Sequence, residues 1–404
     1  MRHDRYPRVL LLAAAAAIPS LTLMPPAHAV THVVATGVPA ADEPVELPAL
    51  RSRMGQDENC TGPSPVTAEA EPWTRRALGL SRSWQLSQGA GVTVGVVDTG
   101  VGAALPALAG RVEAPGHAGQ DCVGHGSFAA GLIAAAPRPG TGVSGVAPQA
   151  RVLAVRGTDQ RGTGTGATVA AGIRAAVDGG ARVVYVGQAL LDGRAELTAA
   201  VAHATERDVL VVAPAAPDTA PKDAATGRPD TTPRPYFPAF IPQVLSVADH
   251  GQDGNRPSNA PGVFAPDLSA PGDGVVGVGP KGEGHFIGSG SSLAAAHTAG
   301  VAALVRARHP KLSAAEVARR LVAAAYPADT PRLDPYASLT AVLGGRAAKA
   351  PQVAEAHMTP DAPKGPRTKA LVIAAAAGGF GLLVIGAVAV IPRDRARGWR
   401  AADR

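Results

Sequence analysis

Three residues whose side chains could form a nucleophilic site each lie within two positions of a glycine in this sequence. Asp98 follows an apolar run in GVTVGVVDTGV, His125 stands between two glycines in CVGHGS, and Ser292 precedes an alanine-rich stretch in GSGSSLAAAHTAG. A serine hydroxyl becomes a good nucleophile when a neighbouring imidazole takes its proton, and a carboxylate orients that imidazole. The three residue types in this order predict an Asp–His–Ser triad in which Ser292 attacks a carbonyl carbon.

Each of these residues also has an ordinary structural explanation. A serine before a helix commonly caps it, an aspartate before glycine commonly forms a turn, and a single histidine is more often structural than catalytic. However, the glycines around His125 leave its ring little cover, which favours a role in proton transfer. A helix that begins at Ser292 presents free N–H groups and the positive end of its dipole to an anion. We therefore predict that the backbone N–H of Ser292 binds the oxyanion.

Short β-branched runs alternate with alanine-rich stretches through the middle of the chain. This alternation predicts an α/β fold with a central, mostly parallel sheet covered by helices on both faces, and a site in the loops after the strands. We expect surface loops at 214–235 and Tyr236–Val247. The second segment includes Val244–Val247, which is also the last of the predicted strands. We expect strands at Val92–Val97, Val152–Val155, Val183–Val186, Val209–Val212 and Val244–Val247, and helices at Ser127–Ala136, Ala167–Asp178, Glu196–Arg207, Leu293–Arg308 and Ser313–Ala325.

The N-terminus has the pattern of a secretory signal peptide. Arginines precede an apolar run at Val9–Leu23, and Ala27-His28-Ala29 provides the small-x-small pattern of a cleavage site. The alternative is an N-terminal membrane anchor, but the apolar run is short and is followed by two prolines. We therefore expect export and cleavage after Ala29.

A second apolar run, Ala370–Ile391, contains no charged residue and is followed at once by an arginine-rich tail. Its length is sufficient for a transmembrane helix, and the arginines predict that the C-terminus stays in the cytoplasm. The alternative is a buried core helix. The predicted organisation is a signal peptide (1–29), an extended N-terminal arm (30–72), a peptidase domain (73–345), a linker (346–369), a transmembrane helix (370–391) and a cytoplasmic tail (392–404).

Composition and cysteine content exclude several classes of protein. The net charge of +6 is partly due to the arginines at the two ends, and only 3% of residues are aromatic, so no nucleic-acid-binding surface is indicated. Cys60 and Cys122 would both be exported to an oxidising compartment, where we expect them to form a disulfide. Neither belongs to a CxxC pair, and no compact carboxylate loop is evident, so the sequence predicts no metal site and no cofactor.

Three segments resemble the motifs of the subtilisin-like serine peptidases. GVTVGVVDTGV is similar to the motif of the catalytic aspartate, HGSFAAG to H-G-T-x-V-A-G, and GSSLAAAHTAG to G-T-S-M-A-A-P-H-V-A-G. The resemblance covers about residues 73–342. It implies a subtilisin-like three-layer fold in which Asp98 is the acid, His125 the base and Ser292 the nucleophile. The α/β-hydrolases, whose nucleophile lies in G-x-S-x-G, are a poorer match because Ala294 replaces the second glycine.

A narrower resemblance is to the mycosins, which are membrane-anchored subtilisin-like peptidases associated with type VII secretion. The signal peptide, the two cysteines before the histidine motif, the segment 72–101 and the C-terminal anchor carry this likeness. It implies a single-pass protein of the cell membrane with its peptidase domain on the extracytoplasmic side. The implied partners are protein or peptide substrates and the membrane complex of the secretion system.

Two segments depart from the family pattern. The family places an asparagine after the strand V-V-A-A-A-G-N, and its side-chain amide binds the oxyanion. Here the segment is VLVVAPAAPDTA, and a simple alignment puts Pro217 at that position, with Thr219 as a possible substitute. Proline has neither a side-chain donor nor an N–H. The strand that pairs with substrate reads VVYVGQALLDG, with Tyr185, Gly187 and Ala189 at positions where the family has other residues.

These observations leave three hypotheses. The first is a serine endopeptidase whose activity is weak or narrow because the oxyanion asparagine is missing. The second is a catalytically impaired pseudo-peptidase that serves as a structural or docking subunit of the secretion complex. The third is a hydrolase of non-peptide esters that uses the same triad.

Overall fold

The computed structural model describes residues 46–223, 226–343 and 365–396. The chain divides into two compact units, Met1–Leu339 and Thr340–Arg404. The first unit contains the described strands and all three predicted triad residues. The predicted signal peptide lies outside the described residues, and the predicted domain limits stay predictions.

The central sheet of the first unit has seven strands within the described residues. Neighbouring strands are all parallel, as the apolar runs predict. The strands are β1 (Thr93–Asp98), β2 (Val112–Glu113), β3 (Arg151–Arg156), β4 (Val183–Val186), β5 (Leu210–Pro214), β6 (Val244–His250) and β7 (Leu268–Pro271). Their order is β2-β3-β1-β4-β5-β6-β7, so β1 lies between β3 and β4, and Asp98 is its last residue.

The five predicted strands are all present, and the sequence did not predict the others. The pair of residues in β2 is too short to show periodicity, and β7 contains Ser269 and Pro271 in only four residues. An antiparallel hairpin of β8 (Val275–Val278) and β9 (His285–Gly288) lies outside the main sheet. These short strands owe their conformation to their neighbours more than to their own side chains.

Helices cover the sheet on both faces and form two separate cores. Alternate residues of a strand point to opposite faces, so Val94 and Val96 pack in one core and Val97 packs in the other. The first core contains α3 and α6, and the second contains α4 and α5. The helices are α1 (Trp73–Ala77), α2 (Leu80–Ser83), α3 (His125–Ala134), α4 (Gly166–Asp178), α5 (Arg194–Glu206), α6 (Ser291–Arg308), α7 (Ala314–Ala323), α8 (Pro335–Thr340) and α9 (Gly365–Ala396).

The helices that carry the site begin two residues earlier than predicted. Helix α3 begins at His125 rather than Ser127, and α6 begins at Ser291 rather than Leu293. Each is preceded by a glycine with positive φ, 97° at Gly124 and 151° at Gly290, which lets the chain enter the helix directly from a loop. As a result, His125 and Ser292 lie in the first turns of their helices.

One predicted surface loop is in fact largely buried. Tyr236, Phe237 and Ile241 are between 3% and 8% exposed, and Phe237 and Ile241 belong to the second core. Phe237 is also joined to Leu190 by hydrogen bonds between their backbones in both directions, of 2.7 and 2.8 Å. The prediction of a surface loop was therefore wrong for most of Tyr236–Val247. Its prolines dictate an irregular backbone, but Tyr236, Phe237 and Ile241 still pack inward, whereas Phe240 is exposed.

The described part of the N-terminal arm runs along the surface of the first unit and is bonded to it at several points. Leu50 donates from its N–H to the carbonyl of Ile287 in β9, at 2.7 Å. The predicted disulfide joins Cys60 and Cys122, and Thr61 N–H donates to the carbonyl of Cys122 at 2.8 Å. The arm is therefore covalently attached three residues before His125.

The second unit contains the long helix α9, whose segment Ala370–Ala389 has a mean hydropathy of 2.4. Within the described residues, this is the single helix that is long and apolar enough to cross a membrane. It agrees with the predicted transmembrane run at 370–391. The helix begins at Gly365, so its first residues belong to the segment that the sequence predicted as linker.

Candidate active site

The predicted acid and base are in direct contact. Asp98 at the end of β1 and His125 at the start of α3 are both buried, with 0% and 3% of their side chains exposed. His125 Nδ1 lies 2.8 Å from Asp98 Oδ2 and 2.9 Å from Oδ1. An imidazole held in this way keeps Nδ1 protonated and turns Nε2 toward the third residue.

The Asp98 carboxylate accepts further hydrogen bonds that fix its position. Thr99 N–H donates to Oδ1 at 2.7 Å, and the Tyr185 hydroxyl donates to Oδ2 at 3.2 Å. Gly187 lies just after the end of β4, and a Cβ there would lie 1.9 Å from Asp98 Oδ2. The departures from the family pattern at Tyr185 and Gly187 therefore surround the acid, a role that the sequence did not predict.

A second buried carboxylate holds the loop before His125. Asp121 accepts hydrogen bonds from Thr99 Oγ1 at 2.8 Å, Gly124 N–H at 2.7 Å and Ser127 Oγ at 2.7 Å. Burial raises the pKa of Asp121, while these hydrogen bonds act to lower it. The contacts join the end of β1, the loop and the first turn of α3, so they fix His125 relative to Asp98.

Ser292 completes the predicted triad. Its side chain is fully buried in the first turn of α6, and its Oγ lies 2.9 Å from His125 Nε2. The adjacent Ser291 points away and donates to Asp249 Oδ1 at 2.5 Å. The structure therefore brings Asp98, His125 and Ser292 together in the order that proton transfer requires, and their catalytic roles stay predictions.

A residue that the sequence did not identify occupies the oxyanion side of the site. Asp218, in the loop after β5, accepts from Ser292 N–H on Oδ1 at 2.9 Å and from Ser292 Oγ on Oδ2 at 2.7 Å. Its Oδ2 also lies 3.0 Å from His125 Nε2. We call these three the resting contacts of Asp218. They occupy the backbone N–H that the sequence predicted as the oxyanion donor.

The expectation that Pro217 takes the place of the family's asparagine is therefore wrong by one residue. The proline-rich loop directs the side chain of Asp218 toward Ser292, while Thr219, the other candidate donor, is exposed. An aspartate is similar in shape to an asparagine, and this similarity was the available signal. A gapless alignment missed it because it cannot follow the path of a loop.

The backbone before α6 leaves room for this carboxylate. Gly290 has φ 151°, and a Cβ on it would lie 2.0 Å from Asp218 Oδ1. A larger residue at this position would meet both the carboxylate and an unfavourable backbone conformation. The position of the Asp218 carboxylate therefore depends on a glycine at residue 290.

The two carboxylates determine the charge of His125. Burial by itself lowers the pKa of an imidazole, but the negative charge of Asp98 and the hydrogen bonds and charge of Asp218 raise the pKa of His125 well above its usual value. Burial also raises the pKa of Tyr185 well above its usual value, with the charge of Asp98 acting in the same direction. These directions favour an imidazolium at His125 and a neutral phenol at Tyr185 in the resting site.

A cleft of about 580 Å³ opens beside Asp218. One wall is Gly187–Leu191, the segment that the sequence predicted as the substrate strand, and another is Arg51–Arg53 of the N-terminal arm. Tyr236 and the loop from Pro217 to Pro221 complete it. The cleft meets the triad at Asp218, which lines it and contacts both Ser292 and His125. Among the described residues, no group of three or more His, Cys, Asp or Glu side chains is arranged to hold a metal ion.

Comparisons with known proteins agree with this geometry. The model of the subtilase family of peptidases matches residues 89–367. Mycosin-3 of Mycobacterium tuberculosis is 33% identical over 92% of this chain and 95% of its own length. The solved structure of the MycP3 protease from the type VII (ESX-3) secretion system is 31% identical, with a TM-score of 0.59 over 76% of this chain and all of that chain.

A further solved structure is a periplasmic assembly from the ESX-5 inner membrane complex. It contains a chain that is 28% identical, with a TM-score of 0.59 over 74% of this chain and 92% of its own length. The family match covers more than half of the sequence, and mycosin-3 is similar along almost its whole length. The chain therefore belongs to the subtilase family of serine peptidases and, within that family, to the mycosins.

Proposed function

We propose that this protein is an exported, membrane-anchored serine endopeptidase of a type VII secretion system, with an activity restrained by Asp218. The observation that supports catalysis most directly is the hydrogen-bonded series from Asp98 through His125 to Ser292, with distances of 2.8 and 2.9 Å. Asp98 orients the ring, His125 takes the proton, and Ser292 is the nucleophile.

In this mechanism Ser292 Oγ bonds to the carbonyl carbon of the substrate while its proton moves to His125 Nε2. The carbonyl electron pair moves to oxygen, and the Ser292 N–H binds the resulting oxyanion. When the tetrahedral intermediate collapses, the C–N bond breaks and His125 gives its proton to the leaving amine. Water then releases the acyl group by the same sequence of steps.

The resting contacts of Asp218 oppose this mechanism in two ways. They occupy the Ser292 N–H, and they favour the imidazolium form of His125, which cannot accept a proton. Both effects must be reversed in each turnover, so we expect slow hydrolysis. The same contacts favour the second candidate, a pseudo-peptidase that uses the fold as a docking subunit of the secretion complex.

The proposed location and partners rest on α9 and on the relatives. Two of the relatives are named for type VII secretion or its inner membrane complex. Helix α9 would hold the chain in the membrane with the first unit on the extracytoplasmic side. In intact spheroplasts, added protease should digest the first unit, and alkaline carbonate should leave the full chain in the membrane pellet. Protection of the first unit, or release by carbonate, would contradict this topology.

A fluorescent fluorophosphonate separates the enzyme from the pseudo-peptidase. We expect the full chain in detergent to be labelled on Ser292, and Ser292→Ala to be unlabelled. Ser291→Ala is the matched control, because it removes the neighbouring hydroxyl, which bonds to Asp249 rather than to His125. Cleavage of fluorescein-labelled casein should follow the same pattern. A folded wild-type chain that is neither labelled nor active on casein would support the pseudo-peptidase.

A further inference from the structure

Asp218 and His125 are close enough in the resting site to share one proton. Asp218 Oδ2 and His125 Nε2 are 3.0 Å apart, and the side chain of Asp218 is only 8% exposed. If the proton is on Nε2, the pair is an imidazolium and a carboxylate. If it moves to Oδ2, the pair is a neutral imidazole and a carboxylic acid. The two forms have the same net charge, so the substrate can favour either one without any exchange of protons with solvent.

The neutral form of the pair contains both groups that acyl transfer needs. Neutral His125 can accept the proton of Ser292, and the protonated Asp218 carboxyl has an O–H to donate. In the resting site the Ser292 N–H donates to Asp218 Oδ1 at 2.9 Å. The oxyanion of the substrate must accept from this N–H in place of Oδ1, and the Asp218 carboxyl then lies beside the oxyanion. A carboxylate there would repel the oxyanion, whereas a carboxylic acid donates a hydrogen bond to it.

On these grounds we propose that Asp218 is a catalytic residue of this mycosin, whose protonated carboxyl donates the second oxyanion hydrogen bond and whose ionised form maintains the resting site. The inference rests on the proposed function, because it concerns the same acyl transfer at Ser292. No proton is gained or lost in forming the active pair: Nε2 gives its proton to Oδ2, and Nε2 then receives the proton of Ser292.

The rate should therefore pass through a maximum as the pH changes. On the alkaline side the pair loses its proton, so His125 is still a base but Asp218 is a carboxylate that repels the oxyanion. On the acidic side the pair gains a second proton, and His125 can no longer act as a base. A subtilase with an amide at this position has no such loss on the alkaline side, because the amide donates at every pH.

Other charged groups near the pair are distributed around it. Asp98 and Tyr185 face His125 from β1 and β4. Asp249 and Asp273 line a second cleft with Asp218, and Asp249 is paired with Arg256 at 2.8 Å. On the other side, Arg51 and Arg53 of the arm line the cleft of about 580 Å³. None of these groups has a described hydrogen bond to Asp218. We therefore assign the fall in rate at alkaline pH to the loss of the proton that Asp218 and His125 share.

The experiment measures the second-order rate of fluorophosphonate labelling of the full chain in detergent from pH 5 to pH 10. We expect a maximum for wild type. Asp218→Asn should instead rise to an alkaline plateau that is about 100- to 1,000-fold faster than wild type at the same alkaline pH, where the wild-type carboxylate cannot donate. That range is the effect of one oxyanion donor, a magnitude established on the relative subtilisin. Asp218→Ala should also lose the alkaline fall, but its plateau should stay about 100-fold below that of Asp218→Asn.

Asp273→Asn is the matched control, because it makes the same chemical change in the adjacent cleft without contact with His125 or Ser292. We expect it to keep the wild-type profile, and thermal unfolding checks that every variant is folded. If the pH profile of Asp218→Asn had the same shape as that of wild type, the role of Asp218 would be overturned, while the proposed function would stand. Equal plateaus for Asp218→Asn and Asp218→Ala would overturn its role as donor. Absence of labelling in both folded wild type and folded Asp218→Asn would overturn the proposed function as well.

Discussion

His125 and His297 are both buried in the first unit, yet their pKa values move in opposite directions. The pKa of His125 is raised well above its usual value, whereas burial lowers the pKa of His297 to about 4. His125 contacts two carboxylates, Asp98 and Asp218. His297 has only the neutral carbonyl of Pro271, at 2.8 Å from its Nδ1, as a described hydrogen-bond partner.

The comparison shows that the partners of a buried imidazole, rather than its burial, determine its charge. Removing water disfavours the imidazolium in both sites, and only a neighbouring negative charge can reverse that effect. His297 can therefore be a permanent neutral part of α6, while His125 is held in a charged form that must be neutralised before it acts. Substitutions that alter the partners test this difference.

The largest expected effect comes from Asp98→Asn. The amide cannot stabilise the imidazolium that forms during catalysis, and it favours the wrong tautomer of His125, so kcat should fall by about 10⁴-fold. The measurement is the single-turnover rate on fluorescein-labelled casein. His297→Gln should keep kcat near the wild-type value, because His297 lies outside the site. A loss of less than tenfold for Asp98→Asn would mean that this carboxylate does not orient the base.

A smaller effect is expected from the acid titration of His297. Its pKa is about 4 in the folded chain and about 6.5 when unfolded, so the unfolded chain binds more protons between these values. Stability is therefore complete above about pH 6.5 and falls by about 3 kcal/mol as the pH is lowered to about 4. Urea unfolding followed by tryptophan fluorescence at pH 7 and pH 4.5 measures this loss. His297→Gln should lose less stability over the same range, and an equal loss would contradict the assignment.

The smallest expected effect comes from Tyr185→Phe. This change removes the hydroxyl that donates to Asp98 Oδ2 at 3.2 Å and leaves the ring in the first core. A hydrogen bond to a charged carboxylate contributes about 1.5 kcal/mol at the lower end of its range, which suits the length of this bond, so we expect about a tenfold fall in kcat with KM unchanged. Because Tyr185 acts through Asp98, the acid limb of the pH profile should shift as well. A change in KM alone would indicate that Tyr185 contacts substrate instead.

The triad could be predicted from the sequence because each of its residues lies at a fixed place in a regular element. Asp98 ends a strand, while His125 and Ser292 begin helices, and strand and helix geometry fixes where such residues lie. The alternation of apolar runs and helices also predicted the parallel sheet. Even the departures at Gly187 and Tyr185 were visible, although their contact with Asp98 was not.

Asp218 could not be predicted because its position depends on the path of an irregular loop. The prolines after β5 restrict the backbone without specifying where the next side chain points, and a shift of one residue replaces an inert proline with a carboxylate. The charge of His125 was hidden for the same reason, since it depends on both carboxylates. For residues 236–247 the turn-forming sequence indicated exposure, and tertiary packing overrode it.

The central claim is that two carboxylates hold His125 as an imidazolium at rest, and titration of its ring tests this most directly. The full chain in detergent, with ¹³C at Cε1 of every histidine, would be followed by NMR against pH, and His125→Gln would assign the signal. We predict that His125 titrates above the usual pKa of histidine in the wild type and at a clearly lower pH in Asp218→Asn. An unshifted pKa that is the same in both proteins would contradict the account.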